Sequence, residues 1–172
     1  MDVTTAYRHC EELTSSQARN FSYGIKLLPP AKRRALSAVY AFARRIDDIG
    51  DAPPTAPTLH TAPDQLAALA QAREAVQCLA GGRPPTTDPV LVALDDACRR
   101  FPIPAEAFGE IVDGCVADVQ GASYSTFDDL LYYCRCVAGS VGRLSLGVFG
   151  ADDQSKAAPL ADALGVALQL TN

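Results

Sequence analysis

The sequence predicts an all-α fold, a helical bundle formed by one domain. Apolar residues recur at helical spacing along almost the whole chain, and no segment shows the alternation of a half-buried strand. The chain has 172 residues, of which 48% are hydrophobic and 20% are charged, and this composition is typical of a globular domain with its own core. Neither an internal repeat nor a second domain is evident, so residues 1–172 are interpreted as a single domain.

The first half of the chain contains three predicted helices and one long loop. Residues 4–19 form a modest amphipathic helix, and residues 31–50 form a strong one that opens after a Pro-Pro pair. One face of the second helix carries Leu36, Val39, Tyr40, Ala43 and Ile46. Residues 52–63 hold four prolines, so they are predicted to form a surface loop. Residues 64–80 resume the helical pattern, which stops at a Gly-Gly pair.

Four further helices are predicted in the second half. Residues 88–101 begin at an Asp-Pro pair that can cap the helix, and they end before Pro102. Residues 104–119 and 127–149 carry apolar side chains at core spacing, and residues 157–172 are apolar and helical to the last residue. The expected core positions are Phe108, Ile111, Val112, Cys115 and Val119, followed by Leu130, Leu131, Cys134, Val137, Ala138, Val141, Leu144 and Val148.

The composition excludes several classes of function. A formal net charge of −5 argues against nucleic acid as a partner, because phosphate binding needs a basic surface. The only two histidines, His9 and His60, leave almost no material for His-based triads or metal sites. Most of the six cysteines lie in helical patterns, so free buried thiols are expected, and the pair Cys134 and Cys136 is only a weak zinc candidate.

The sequence offers no segment that directs the chain into a membrane. It begins without the basic and apolar regions of a signal peptide. The longest stretch without a charged residue is the proline-rich segment 52–63, whereas a membrane span needs roughly twenty apolar residues. The chain is therefore predicted to be soluble and cytoplasmic, and peripheral contact with a membrane surface is left open.

The most informative stretch is the acidic end of helix 31–50. Asp47 and Asp51 are four residues apart and project from one helical face, with Asp48 one residue round. Like charges at this spacing destabilise a helix, and the negative end of the helix dipole disfavours them further. A divalent cation would offset both penalties, and Mg²⁺ binds one or two carboxylates together with substrate phosphate oxygens. The spacing therefore indicates a metal site for a phosphorylated substrate.

A solvated acidic helix end is the alternative explanation for these three carboxylates. Two neighbouring residues favour the metal site. Arg44 lies one turn before Asp48 and can pair with a carboxylate or reach a phosphate, and Tyr40 lies one turn before Arg44. The resulting stripe of Tyr, Arg and Asp is neither apolar nor typical of a solvated surface.

Four short blocks occur in order along nearly the whole chain. They are residues 19–29 (RNFSYGIKLLP), 38–51 (AVYAFARRIDDIGD), 133–142 (YCRCVAGSVG) and 168–172 (LQLTN). Each block is modestly specific, but four in this order are strongly specific. Together they resemble the squalene/phytoene synthase family of head-to-head prenyl transferases.

The resemblance implies an isoprenoid-synthase bundle around a central cavity and an enzyme that condenses two prenyl diphosphates. It implies that Asp47, Asp48 and Asp51 bind Mg²⁺, with Mn²⁺ as an alternative. It gives Tyr40 and Arg44 catalytic roles beside the diphosphate. The small residues of segment 137–142 match the place where the prenyl chain passes close to the backbone. Substrate contacts are expected from Ser22, Tyr40, Arg44, Gln169 and Asn172.

Within the family, segments 111–114 and 142–145 and the residue Asp118 resemble presqualene diphosphate synthase. That enzyme would join two farnesyl diphosphates without reduction, so no NADPH is expected. Phytoene synthase, which uses two geranylgeranyl diphosphates, is the alternative. A head-to-tail prenyltransferase or a terpene cyclase is disfavoured, since those relatives lack the block at 133–142.

Two departures from the family pattern affect these expectations. The family often has a tyrosine within the triplet that is Cys134-Arg135-Cys136 here, so Arg135 either contacts diphosphate or is a surface arginine. Gln169 and Asn172 match the start of the second metal motif, whose first aspartate is expected about one turn after Asn172, followed by further helices. The chain is therefore expected to lack the C-terminal helices and one cavity wall and to be catalytically impaired. A non-catalytic helical remnant stays open as an alternative.

Overall fold

The computed structural model describes residues 1–53, 61–80 and 87–171, and within these ranges it contains nine α-helices, one π turn and no strand. The helices are α1 Val3–Gln17, α2 Arg19–Lys26, α3 Pro30–Gly50, α4 Ala62–Ala80, α5 Pro89–Arg100, α6 Glu106–Val119, α7 Phe127–Cys134, α8 Ser140–Phe149 and α9 Gln154–Thr171. The π turn Arg135–Gly139 joins α7 to α8. The prediction of an all-α fold is confirmed. Over the same ranges, no helix is both long enough and apolar enough to cross a membrane.

Helix α3 lies at the centre of the bundle and carries the acidic stretch at its end. Pro30 occupies its first turn, where the missing amide hydrogen costs nothing. The helix packs against α1, α5, α6 and α8. Phe42 and Ile46 are fully buried, and Phe42 meets Phe108 of α6 edge to face, with ring centroids 5.2 Å apart. This packing gives the C-terminal turn of α3 a fixed support.

Helix α5 begins where the Asp-Pro pair predicts. Asp88 is the N-cap and accepts hydrogen bonds from the amides of Val90 at 2.9 Å and Leu91 at 3.4 Å. The same carboxylate accepts two hydrogen bonds from Arg45 of α3, at 2.6 and 2.8 Å. One side chain therefore fixes both the start of α5 and its position against α3.

The prediction of one helix over residues 4–19 is wrong at its C-terminal end, because the chain changes direction there. Ala18 leaves the helical conformation, with φ −92° and ψ 59°, and α2 starts at the next residue. Ala18 is buried, and its amide donates to the carbonyl oxygen of Thr14 at 2.9 Å. Neither glycine nor proline marks this position, so packing rather than local sequence sets the change of direction.

The helix predicted over residues 127–149 is continuous, but the π turn widens it in the middle. A Cβ on Gly114 of α6 would lie 2.4 Å from Cγ1 of Val137, so α6 comes very close to the π turn. Single π turns inside α-helices occur frequently at functional sites. The apolar periodicity of the sequence does not distinguish this turn from an ordinary helical one.

Glycines bring the π turn and α8 against α9, and we call this contact the glycine seam. It involves Gly139, Gly142 and Gly165. A Cβ on Gly165 would lie 2.5 Å from the carbonyl oxygen of Ala138, and one on Gly142 would lie 2.6 Å from the carbonyl oxygen of Ala161. Both distances are too short for a side chain, so this backbone contact requires glycine.

An ion cluster flanks the glycine seam. Asp162 of α9 accepts hydrogen bonds from Arg135 at 3.0 Å and from Nε of Arg143 at 2.8 Å. Arg143 also donates to both carboxylate oxygens of Glu110 on α6. The side chains of Arg143 and Asp162 are only 15% and 14% exposed, so water screens this pair weakly. The cluster ties α9 to the π turn, α8 and α6.

Four of the six cysteines act as small core residues, whereas Cys78 is exposed and Cys98 is partly buried. All six are free thiols, and Cys10, Cys115, Cys134 and Cys136 are buried, as the sequence predicts. Burial raises the pKa of Cys10 to about 12, so this thiol stays protonated. Within residues 1–53, 61–80 and 87–171, no three His, Cys, Asp or Glu side chains converge closely enough to hold a metal ion.

Candidate active site

Helix α3 presents a mixed face to a cavity of about 400 Å³, which we call the site cavity. Its lining from α3 comprises Leu36, Val39, Tyr40, Ala43, Arg44 and Asp47, and its remaining lining comprises Phe21, Ile25, Val141, Ser145 and Phe149. Leu36 and Asp47 are about 16 Å apart along the helix axis at 1.5 Å per residue. The α3 wall of the cavity therefore has an apolar end and a charged end, which suits a ligand with an anionic head and a hydrocarbon tail.

A second cavity, of about 630 Å³, lies over the glycine seam and is almost entirely apolar. It shares Phe21, Val141, Ser145 and Phe149 with the site cavity. Its other lining residues include Val137, Ala138, Gly142, Ala161, Leu164, Gly165 and Leu168. The two cavities therefore form one continuous apolar surface that adjoins Tyr40, Arg44 and Asp47.

Asp47 is the carboxylate that lines the site cavity. Although the side chain is exposed, surrounding protein withdraws enough water to raise its pKa, and Asp51, Asp48 and Asp118 act in the same direction. The guanidinium of Arg44 opposes this rise in pKa. Negative charge therefore accumulates here beyond what one arginine balances, and a cation would relieve the repulsion.

Arg44 connects the carboxylates to the cavity. Its Nη2 lies 2.5 Å from Oδ1 of Asp48, one turn further along α3, and both side chains are exposed, so this ion pair contributes little to stability. Its Nε is enclosed by protein and has no hydrogen-bond partner among the described residues. A buried donor without a partner costs about 1–3 kcal/mol. The rest of the side chain is exposed, so its terminal nitrogens are accessible to a diphosphate oxygen.

Asp48 and Asp51 are placed differently from Asp47. Asp48 lines a small separate cavity with His9 and Arg45. Asp51 is the C-cap of α3, and its amide donates to the carbonyl oxygen of Asp47 at 2.8 Å. The side chain of Asp51 is exposed and does not line the site cavity.

The donor set fits a divalent cation that shares its coordination with a phosphate. No metal cluster forms from the described side chains alone. Mg²⁺, however, is usually held by one or two carboxylates with substrate phosphates and water. Asp47 and Arg44 both line the site cavity, so a cation beside the carboxylate and an anion beside the guanidinium could bind there together. The metal-binding roles of Asp47, Asp48 and Asp51 stay predictions.

The other predicted contacts are not part of the site cavity. Ser22 is buried and lines a neighbouring cavity of about 240 Å³, which shares Ile25 with the site cavity. Arg135 forms an ion pair with Asp162 and lines a different cavity, most of whose wall is formed by α9. Gln169 is half-buried on α9, and Asn172 lies outside the described residues. The structure thus brings Tyr40, Arg44 and Asp47 together, and it does not bring Ser22 or Arg135 to the same cavity.

One residue without a predicted role, Asp118, adjoins the acidic stretch. Asp118 of α6 lies close enough to raise the pKa of Asp47, and burial together with Asp118 raises the pKa of Tyr133. Tyr124 stacks on Tyr133 with ring centroids 5.0 Å apart, and its hydroxyl is enclosed without a partner among the described residues. The sequence singles out Asp118 only through the resemblance to presqualene diphosphate synthase, and nothing in the local pattern places this carboxylate beside Asp47.

The sequence of this chain matches one protein family and its curated members. The profile of the squalene/phytoene synthase family matches residues 14–172. A phytoene synthase of Mycobacterium tuberculosis is 43% identical over 171 residues, which cover 99% of this chain and 53% of the relative. A 15-cis-phytoene synthase of Synechococcus elongatus is 35% identical over 181 residues, covering 99% and 56%. The chain thus spans about half the length of the curated relatives it matches.

Solved structures show the same likeness in three dimensions. The crystal structure of a dehydrosqualene synthase in complex with ligand superposes with a TM-score of 0.85 at 30% identity, covering 99% of this chain and 56% of that one. Squalene synthase HpnC from Alicyclobacillus acidocaldarius gives a TM-score of 0.81 at 33% identity, covering 97% and 59%. The family profile covers most of the chain, and the sequence relatives and solved structures cover nearly all of it. This chain therefore belongs to the squalene/phytoene synthase family.

Proposed function

We propose that this chain carries the diphosphate-binding site of a Mg²⁺-dependent prenyltransferase that condenses two molecules of geranylgeranyl diphosphate head to head. The observation that carries the proposal is the placement of Asp47 and Arg44 at the charged end of an apolar cavity. Family membership supports the reaction type. The arrangement of side chains supports the assignment of roles.

The residues of the chain have different roles according to their position. Asp47 and Asp51 would hold Mg²⁺, which when bound neutralises charge on the leaving diphosphate. The guanidinium of Arg44 donates to a diphosphate oxygen. Tyr40, one turn earlier in the same cavity, offers an aromatic face to the allylic cation that forms when the diphosphate leaves. The apolar walls exclude water, which protects that cation from hydrolysis.

Geranylgeranyl diphosphate is favoured as the substrate by the names of the curated relatives. A mycobacterial and a cyanobacterial phytoene synthase are 43% and 35% identical to this chain, and a plant phytoene synthase is 37% identical. These names favour phytoene synthase over the presqualene diphosphate synthase that the sequence suggests first. The continuous surface of the two cavities, about 400 and 630 Å³, suits a long tail whose burial contributes about 0.8 kcal/mol per CH₂.

Farnesyl diphosphate is the second candidate substrate. Two solved structures that resemble this chain are a dehydrosqualene synthase and a squalene synthase. With farnesyl diphosphate, the expected product is presqualene diphosphate. Both condensations are proposed to proceed without NADPH.

Product analysis tests the proposed function. The matching segment of the M. tuberculosis phytoene synthase is replaced by this chain, and the folded chimera is supplied with Mg²⁺ and either prenyl diphosphate. We expect a forty-carbon product from geranylgeranyl diphosphate, which disappears with EDTA or in the Asp47→Ala variant. Asp128→Ala, which removes an exposed carboxylate on α7, is the matched control and is expected to retain activity.

Two outcomes would contradict the proposal. A chimera that forms only a thirty-carbon product from farnesyl diphosphate would assign the second candidate substrate. A chimera whose activity is unaffected by Asp47→Ala would remove Asp47 from the metal site.

A further inference from the structure

The last carbonyl groups of α3 accept hydrogen bonds from a side chain of another helix. A helix leaves its final four carbonyl groups without intrahelical partners. Gln65 of α4 donates its Nε2 to the carbonyl oxygens of Ile49 at 3.0 Å, Gly50 at 2.9 Å and, more weakly, Ala52 at 3.4 Å. One amide group therefore caps the turn that ends the acidic stretch.

A second contact supports the same turn from α6. The buried Cys115 donates its Sγ hydrogen to the carbonyl oxygen of Ile46 at 3.3 Å. A Cβ on Gly50 would lie 2.4 Å from that sulfur, so glycine at this position allows α6 to come this close. Burial raises the pKa of Cys115 to about 11, so the thiol keeps its hydrogen. Two neighbouring helices thus hold the end of α3 through neutral donors.

The neutrality of both donors matters at this end of the helix. The helix dipole places roughly half a negative charge there, to which the aspartates add their own. A lysine or arginine that capped the carbonyl groups would also pair with those carboxylates and compete with a metal cation. Gln65 and Cys115 satisfy carbonyl oxygens and leave the negative charge available. Because carbonyl oxygens only accept, the nitrogen of the Gln65 amide must face them.

We propose that Gln65 and Cys115 are positioning residues, which hold the last turn of α3 so that Asp47 and Asp51 keep their spacing when a metal cation and a diphosphate bind. The identity of the ligand rests on the proposed function, whereas the positioning does not. The amide of Asp51 donates to the carbonyl oxygen of Asp47 at 2.8 Å and closes this turn. Its exchange with solvent therefore reports whether the turn is held.

Hydrogen exchange of the backbone amides of residues 49–51 tests the positioning. Gln65→Met removes the donors at similar side-chain length, and we expect exchange to become about tenfold faster. Gln65→Glu adds a carboxylate that repels the carbonyl groups, so the amides of residues 49–51 are expected to exchange faster still in this variant. Gln71→Met and Gln71→Glu make the same changes at an exposed position of α4 and are expected to leave exchange unchanged.

Affinity for Mg²⁺ with inorganic diphosphate, measured by calorimetry, tests the consequence for the site. We expect Gln65→Met and Cys115→Ala to weaken binding about tenfold, as for other residues that orient metal ligands. Cys115→Ser retains a donor and is expected to recover most of the loss. Unchanged exchange and affinity in Gln65→Met would overturn the proposal. If the unaltered chain does not bind magnesium diphosphate, the proposed function fails, and exchange alone decides whether Gln65 positions the turn.

Discussion

The end of α3 and the glycine seam are the two regions that shape the site, and they are built by opposite means. At the end of α3, exposed carboxylates repel one another, and neutral donors from Gln65 and Cys115 bind the carbonyl groups beneath them. At the glycine seam, backbone packs on backbone without room for a Cβ, and the ion cluster around Asp162 flanks the contact.

The end of α3 therefore supplies the charge of the site, and the glycine seam supplies its shape. The carboxylates at the end of α3 can be removed without opening the core, because the apolar face of the helix stays packed. The contacts at the glycine seam define the wall of the larger cavity, and an added side chain must displace a helix. Substitutions at the end of α3 should therefore change ligand binding more than stability, and substitutions at the seam should change stability first.

The largest expected effect is on binding at the end of α3. Asp47→Ala should weaken Mg²⁺-dependent binding of diphosphate by at least about 100-fold, since even residues that only orient metal ligands contribute about 10–100-fold. The free energy of unfolding should stay the same or rise slightly, because one like-charge repulsion is lost. Calorimetry and urea unfolding measure the two quantities. A large loss of stability with unchanged affinity would mean that Asp47 stabilises the fold and does not bind the ligand.

The next effect tests the seam. Gly165→Ala places a Cβ 2.5 Å from a carbonyl oxygen, and the forced shift of α9 should lower the free energy of unfolding by about 1–3 kcal/mol. Gly24→Ala is the matched control, because nothing lies within 4 Å of its added Cβ, and it should stabilise α2 slightly. Equal stability of the two variants in urea would mean that the seam is not tightly packed.

The ion cluster should contribute less than the backbone contact it flanks. Asp162→Asn keeps the shape of the side chain but leaves Arg143 and Arg135 without their shared carboxylate, and it should lower the free energy of unfolding by about 1–2 kcal/mol. Asp153→Asn breaks an exposed ion pair with Lys156, while asparagine can still accept the hydrogen bond from the amide of Lys156 at the start of α9, and it should have a smaller effect. Similar urea midpoints for both variants would show that the partial burial of Asp162 adds nothing.

The smallest effect concerns an ion pair that anchors α3 one turn before its acidic end. Burial raises the pKa of Asp88, but the hydrogen bonds from Arg45 and from the amides of Leu91 and Val90 outweigh it and hold the pKa below the ordinary value of 3.8. The stabilisation is therefore present above pH 3.8 and is lost as the pH falls through the lower folded-state pKa.

Asp88→Asn keeps the helix cap but does not titrate. It should lower the free energy of unfolding by about 1 kcal/mol or less at pH 6, and the difference from the unaltered chain should shrink below pH 3.8. Urea unfolding across this pH range measures it. A difference that is independent of pH would mean that the ion pair does not stabilise the fold.

Local sequence patterns predicted those parts of the molecule that depend on neighbouring residues. The periodicity of α3 gave its bounds within one residue and placed Tyr40, Arg44 and Asp47 on one stripe, which lines the site cavity. The Asp-Pro pair at Asp88 predicted the start of α5, because a cap acts within three residues.

Local sequence patterns could not predict contacts between residues that are far apart in the sequence. Gln65 has the sequence context of an ordinary exposed-face residue on α4, and only the fold brings it to the end of α3. The π turn follows from packing of α6 and α9 against Gly139 and its neighbours rather than from apolar spacing. Arg135 was an ambiguous arginine in the sequence, and its partner Asp162 lies 27 positions away.

The central claim is that the charged end of α3 and the apolar cavities form one substrate site. Calorimetric titration of the 172-residue chain with a non-hydrolysable geranylgeranyl diphosphate analogue and with inorganic diphosphate, each with and without Mg²⁺, tests it most directly. We predict one-to-one binding that requires Mg²⁺, with the prenyl analogue at least about tenfold tighter because its tail buries apolar surface. Equal affinity for the two ligands, or binding that persists without Mg²⁺, would contradict it.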